Sequence, residues 1–286
     1  MASGTPSIID LNAELAKLTM FRGRTPQSTM ADRKGSGARL ASYRDGALFT
    51  TKFAGKGHWE SHLTSDELIH TLDGAATLEI VREDRPQSFA LRAGMIAVIP
   101  QGAWHRFHSP DGVTLMTATP SPSEVIELDV NDPRTVGASQ HGEMESGTPS
   151  IIDLDAELAK LTMFRRTPQS TAADRKGSGA RLASWRDGAL FAIKFSGKDH
   201  WESHLTGDEL VHILGGTARL DVAGEDGPQS FALRAGMIAV IPQGAWHRLL
   251  SSEGATQMTA TPFPGEHIAL DVDDPRTVEG QVVRAP

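Results

Sequence analysis

The chain repeats itself, and near-identical stretches must fold alike, which constrains the architecture more than any composition does. Ser3-Gly-Thr-Pro-Ser-Ile-Ile-Asp10 returns as Ser146-Gly-Thr-Pro-Ser-Ile-Ile-Asp153. After one deletion near Gly23, residue n corresponds to residue n+142, and Ser88 to Arg106 matches Ser230 to Arg248 at all 19 positions. The spacing therefore predicts two tandem domains, 1–143 and 144–286, with the boundary in Asn131 to Gly147. That segment holds Pro133 and three glycines and reads as a surface linker.

Each copy reads mainly as strand. Arg39 to Phe53 contains two extended runs around an Asp45-Gly46 hairpin, and Ala76 to Val81 is followed by the turn Glu83-Asp84-Arg85-Pro86. Ser88 to Arg92, Met95 to Pro100, Trp104 to His108 and Thr114 to Thr119 follow, each set off by Gly or Pro. Short strands so closely spaced indicate an all-β sandwich or barrel. One helix per copy is expected, at Leu11 to Leu18 in the first, with Asp10 able to cap it. Near-identical copies also suggest a pseudo-twofold pair in which edge strands of one half cover the other; whether the chain forms a homo-oligomer is left open.

Composition narrows the chemistry. There is no cysteine among the 286 residues, so thiolate metal sites, iron–sulfur clusters and cysteine nucleophiles are excluded, and any metal must be held by His, Asp or Glu. The formal net charge of -8 and the lack of a basic stripe argue against nucleic acid. No apolar run approaches the roughly 20 residues that cross a bilayer. Met1 to Met20 has no basic start followed by an apolar stretch, so a cytoplasmic protein with no membrane partner is expected.

Eight of the 11 histidines form register pairs: His58, His62, His70 and His105 with His200, His204, His212 and His247. His108, His141 and His267 have no partner histidine. On a strand, His58, Glu60 and His62 share one face while Trp59 and Ser61 take the other. Pointing inward, three such side chains need a partner, and a divalent cation with several converging lone pairs is the natural one; pointing outward, they are simply solvated. Farther on, Met95 to Ile99 runs into Pro100-Gln-Gly102, a turn that can bring His105 to a site or merely leave it hydrogen-bonded near a loop. His70 reads as a packing residue, Trp59 and Trp104 as core, Asp66 as a turn residue and Arg106 as surface.

Both segments, in this order and present twice, resemble the cupin superfamily. His62, four intervening residues, Glu67 and six more to Gly74 follow the back half of its first motif; Gly94, Pro100, Gly102 and His105 follow its second. The second copy matches with His204, Glu209, Gly216, Gly236, Pro242, Gly244 and His247. Glu60 and Glu202 stand where the family usually has a histidine, Gly55 and Gly197 sit one position late, and Ser109 and Ser251 replace the closing Asn. The resemblance implies a bicupin, two double-stranded β-helix (jelly-roll) barrels, each with one divalent ion. Its ligands would be Glu60, His62, Glu67 and His105 in one half and Glu202, His204, Glu209 and His247 in the other.

Two imidazoles and two carboxylates form a hard set that favours Fe2+ or Mn2+, with Zn2+ as a further option. Glu60 and Glu202, where they are not ligands, become general bases, and His58 and His200 are placed to touch a substrate or to take the glutamate's ligand position. What the resemblance implies for function is a metal-dependent enzyme acting on a small oxygen-bearing molecule, with a dioxygenase first. A non-redox isomerase or lyase and a ligand-binding sensor are the alternatives.

Overall fold

The computed structural model describes residues 4–82, 85–137, 148–278 and 281–285. The expected division at 143/144, His141, and Glu83 and Asp84 of the expected turn lie outside them. The first repeat contributes β1 (Ser7–Asp10), α1 (Leu11–Ala16), β2 (Phe21–Arg24), β3 (Gly37–Tyr43), β4 (Gly46–Lys56), β5 (Trp59–His62), β6 (Glu67–Val81), β7 (Pro86–Arg92), β8 (Met95–Ile99), β9 (His105–Pro120) and β10 (Ser123–Ile126). The second contributes β11 (Ser150–Asp153), α2 (Leu154–Ala159), β12 (Phe164–Arg166), β13 (Gly179–Trp185), β14 (Gly188–Lys198), β15 (Trp201–His204), β16 (Glu209–Gly224), β17 (Gly227–Arg234), β18 (Met237–Ile241), β19 (His247–Pro262), β20 (Gly265–Ile268) and β21 (Val283–Ala285). Among the described residues the protein is all-β apart from short helical turns.

The chain divides into two compact units, Ala13–Asp155 (the N unit) and Met1–Asn12 with Ala156–Pro286 (the C unit). Among the described residues the N unit is built on a ten-stranded sheet, β2 to β11, and the C unit on an eleven-stranded one, β1 with β12 to β21. Each unit thus takes an edge strand from the other repeat. In the C unit β1 pairs antiparallel with β18, Ser7 opposite Val240 and Asp10 opposite Met237; in the N unit β11 pairs with β8, Ser150 opposite Val98 and Asp153 opposite Met95. Arg234 binds Asp10 and Arg92 binds Asp153, and the helices that follow bury Leu11 and Leu154.

Within the N unit, β9 lies between β4 on one side and β6 on the other, and β6 also pairs with β7 and β8. Inward positions of these strands, among them Phe53, Ile69, Leu78, Ile80, Ile99 and Leu115, form one apolar core. The matching core of the C unit includes Phe195, Val211, Leu220 and Val222. Trp59 and Trp104 pack with Val81 in a separate cluster, as the sequence leads one to expect.

Two local expectations need correction. The runs expected at Trp104–His108 and Thr114–Thr119 join into one long strand, β9, which starts at His105, because the Ser109 hydroxyl accepts from Gly112 N and donates to Ala75 O, carrying the ladder through the Pro110-Asp111 irregularity. Arg106 is buried, not on the surface: its guanidinium lies 4.4 Å over the Trp59 ring, pairs with Glu79 and donates to Val130 O at 2.9 Å.

Candidate metal centre

The site of the N unit is assembled where β5 ends, β6 begins and β9 begins. His62 closes β5 and Glu67 opens β6, while strand register sets Glu60 opposite His105. The Pro100–Gly102 turn is stitched to the connection between β5 and β6: Gly102 N donates to His62 O at 2.7 Å, Gln101 N to Asp66 Oδ1 at 3.0 Å, and Gln101 Nε2 to Leu63 O at 2.6 Å. This fixes the two motifs against each other, so His62, Glu67 and His105 converge. In the C unit Gly244 N donates to His204 O at 2.8 Å and Gln243 N to Asp208 Oδ1 at 2.9 Å, with the same effect.

Donor atoms of His62, Glu67 and His105 all lie within 4.8 Å of one another, as do those of Glu202, His204, Glu209 and His247 in the C unit. Glu67 Oε2 is 3.3 Å from His62 Nε2 and 2.9 Å from His105 Nε2. Glu60 stands at the margin, outside the compact group of three, with Oε1 3.9 Å from His105 Nε2 and Oε2 3.7 Å from His58 Nε2. Its side chain is 25% exposed, whereas those of His62, Glu67 and His105 are 4% or less, so Glu60 faces the open side. In the C unit Glu209 Oε2 lies 3.5 Å from His204 Nε2 and 2.9 Å from His247 Nε2, and His200 Nε2 is 3.5 Å from Glu202 Oε2.

The donor sets fit a divalent cation. His62 Nε2, His105 Nε2 and Glu67 Oε2 are buried with no hydrogen-bond partner, the short His105–Glu67 approach being misaligned for one. Orphaned buried polar atoms cost about 1–3 kcal/mol each, and more when charged. Their other atoms are satisfied in a way that presents these lone pairs. His105 Nδ1 lies 3.0 Å from Ala103 O, which makes Nδ1 the protonated nitrogen and Nε2 the free donor. Thr119 Oγ1 donates to Glu67 Oε1 at 2.6 Å, leaving Oε2 to face the imidazoles. Ala245 and Thr261 hold His247 and Glu209 likewise, but there His247 Nε2 and Glu209 Oε2 are hydrogen-bonded to each other at 2.9 Å. These bracing threonines are not legible from motif spacing.

The electrostatics agree. Burial opposes ionisation of Glu67, yet His62 and His105 outweigh it and hold the carboxyl well below the usual range; Glu209 is held at about 2 against burial by His204 and His247. Glu60 and Glu202 are lowered against burial chiefly by the neighbouring imidazoles of His58 and His200. Burial opposes a charge on His204, but Glu209 and Glu202 raise it to about 9. Against the same burial, His105 is raised by Glu67 and Glu60, and His247 by Glu209 and Glu202. A field that keeps protons on buried imidazoles would hold a divalent ion in their place. His70 takes no part: it is buried, and burial drives it down to about 4.

The two centres differ around this common frame. Ser123 Oγ lies 2.9 Å from His62 Nδ1, but the corresponding residue in the C unit is Gly265, and neither ring nitrogen of His204 has a hydrogen-bond partner. The C unit has Asp199 where the N unit has Gly57, and His267 where the N unit has Val125. His267 packs on His200 at 4.9 Å between ring centroids. Both exchanges are visible when the repeats are aligned, although their consequences are not.

No family model matches the sequence, and no curated protein sequence matches it. Solved structures do. A deletion mutant of the oxalate decarboxylase of Bacillus subtilis is similar at a TM-score of 0.52 and 14% identity, covering 88% of this chain and 85% of that one. A substitution mutant of the same decarboxylase is similar at 0.51 and 13%, with the same coverage. A cupin 2 conserved barrel domain protein from Leptotrichia buccalis aligns at 0.49 and 12%, covering 91% of this chain and 96% of that one. The two decarboxylase likenesses show the fold. Among the described residues no helix is long and apolar enough to cross a membrane.

Proposed function

We propose that this chain, which folds as a bicupin of two tandem cupin barrels, is a metal-dependent enzyme acting on a small oxygen-bearing organic substrate, with dioxygenase chemistry in the N unit. The observation that carries the reading is the trio of buried donors His62, Glu67 and His105. Two imidazoles and one carboxylate converging from one side are the donor set of non-haem Fe(II) oxygenases, and Fe2+ or Mn2+ suits it better than a soft metal. When bound, such an ion would polarise a substrate oxygen and supply redox chemistry with dioxygen.

The chain's own residues do the rest. His105 and Glu67, fixed by Ala103 O and Thr119, keep their donor atoms in place without rearrangement. Glu60, ionised and partly exposed, sits beside the donors with His58 behind it, so a substrate proton taken by a Glu60 oxygen can pass to His58 Nε2. That pair also favours a second reading, a non-redox lyase or isomerase in which proton transfer is the whole reaction.

Protein loaded with Fe2+ under anaerobic conditions and then exposed to air, with a panel of diketones and hydroxylated aromatic acids, is expected to consume oxygen in proportion to product. Turnover of the same panel by Zn2+-loaded protein without oxygen would instead establish the second reading.

A further inference from the structure

The repeats allow an internal comparison beside the metal centres. In the C unit Asp199 is buried, and its carboxylate bridges two guanidinium groups: Arg166 Nη1 donates to Oδ2, and Arg175 Nη2 to Oδ1 at 2.9 Å. His200 N also donates to Oδ1, at 3.0 Å, and Arg175 Nη2 lies 2.8 Å from His200 Nδ1. The N unit keeps both arginines, as Arg24 and Arg33, and lacks the carboxylate, because position 57 is glycine. The backbone there is the same: Gly57 N donates to Phe107 O at 2.8 Å, as Asp199 N does to Leu249 O at 3.0 Å.

Arg24 is consequently a cation without its partner. A Cβ on Gly57 would stand 3.3 Å from Phe107 O and 3.7 Å from the Arg24 guanidinium carbon, which lies 4.5 Å over the Phe53 ring. Arg24 Nε is buried with no hydrogen-bond partner, as is Arg166 Nε in the C unit, so what Arg24 lacks is the bond that Arg166 makes through Nη1 to Asp199. Burial works against the charge of Arg24 and Arg33 repels it, while Glu60 attracts it. Glu60 is also the residue at the margin of the metal centre, 3.9 Å from His105. Glu60 thus links Arg24 electrostatically to the margin of the donor cluster.

We propose that the N unit binds a carboxylate-bearing anion on Arg24 beside Gly57, in the space that Asp199 fills in the C unit, and that Asp199 closes the C unit to the same ligand. The two copies then share a donor set but not a ligand class. As the assignment of a substrate this deepens the function proposed above and rests on it; as a binding site it stands on the arginines alone.

Acetate is the simplest probe. Titration calorimetry at constant ionic strength, on metal-stripped and on Mn2+-loaded full-length protein, should show one acetate per chain in both. Gly57→Asp supplies the carboxylate internally and should weaken binding by about tenfold or more, the cost of losing a charge-assisted hydrogen bond. Arg24→Gln should do the same without adding a charge. Asp199→Gly, checked for native circular dichroism, should bind a second acetate. The proposal is overturned if stripped wild-type protein binds no acetate, if Gly57→Asp and Arg24→Gln bind it unchanged, or if folded Asp199→Gly gains no site. Acetate bound only by loaded protein and insensitive to Gly57→Asp would put the anion on the metal, which also overturns it. Loss of the metal reading would show separately, as ions per chain.

Discussion

At the scale of single residues, the centres depend on hydrogen bonds that leave one atom of each donor free. Ala103 O sets the tautomer of His105, Thr119 turns Glu67, and Ser123 braces His62. Such supporting bonds are typically worth about 10–100-fold in metal affinity. Ser123→Gly, which copies Gly265, is therefore expected to weaken the N centre by about tenfold without unfolding the protein, as read in a competitive metal titration against a chromophoric chelator. Unchanged affinity would mean that the hydroxyl does not orient the ring. Both centres should depend on pH, since His105 is raised as well, and the upper limit is clearest in the C unit. An ion takes the neutral imidazole, and His204, raised to about 9, is protonated at neutral pH, while Glu209, at about 2, has no proton to give up. Affinity there should thus rise with pH until about 9 and then level off, and binding at pH 7 should release protons, seen as a calorimetric enthalpy that changes with the buffer. A buffer-independent enthalpy would contradict this. The ligand residues are legible in the sequence because their spacing is a motif. Thr119, Ser123 and the Asp199–Arg166 pair are not, since what they touch is decided by cross-strand register and by which arginine lies on the neighbouring strand.

At the scale of elements, the strands are legible wherever glycine or proline marks their ends, and the reading fails where such residues sit inside a strand. Ser109-Pro-Asp-Gly112 reads as a chain break, yet β9 runs through it because the Ser109 hydroxyl takes over bonds that backbone groups would otherwise make. Gly74, the closing residue of the first motif, shows why a glycine is needed there. Its φ is +73°, and a Cβ would stand 2.1 Å from Gly112 O, where β6 meets β9. Gly74→Ala should lower stability by more than about 1 kcal/mol, seen as a lower urea midpoint at unchanged slope. A midpoint equal to that of the wild type would show that the strand can shift to make room. The turn at Pro100–Gly102 matters for a different reason: its bonds to His62 O, Leu63 O and Asp66 are what bring two distant motifs to one place.

At the scale of the whole molecule, duplication is the most legible feature, and it foretells two similar cores and two similar clusters. It does not by itself say which edge strand each unit keeps. Ser7–Asp10 and Ser150–Asp153 have the same sequence, so β8 and β18, also alike, offer each strand two equivalent partners; the structure gives each unit the strand from the other repeat. The copies differ where function would diverge, at Gly57 and Asp199 and at Ser123 and Gly265, while Glu67, His62 and His105 and their counterparts are kept. The central claim, one divalent ion in each barrel, is tested most directly by elemental analysis of the full-length protein after equilibration with Mn2+ and removal of free ion. Two ions per chain are expected for the wild type, one for Glu67→Gln, one for Glu209→Gln and none for the double variant; a wild type holding no ion, or a double variant that still holds two, would contradict the claim.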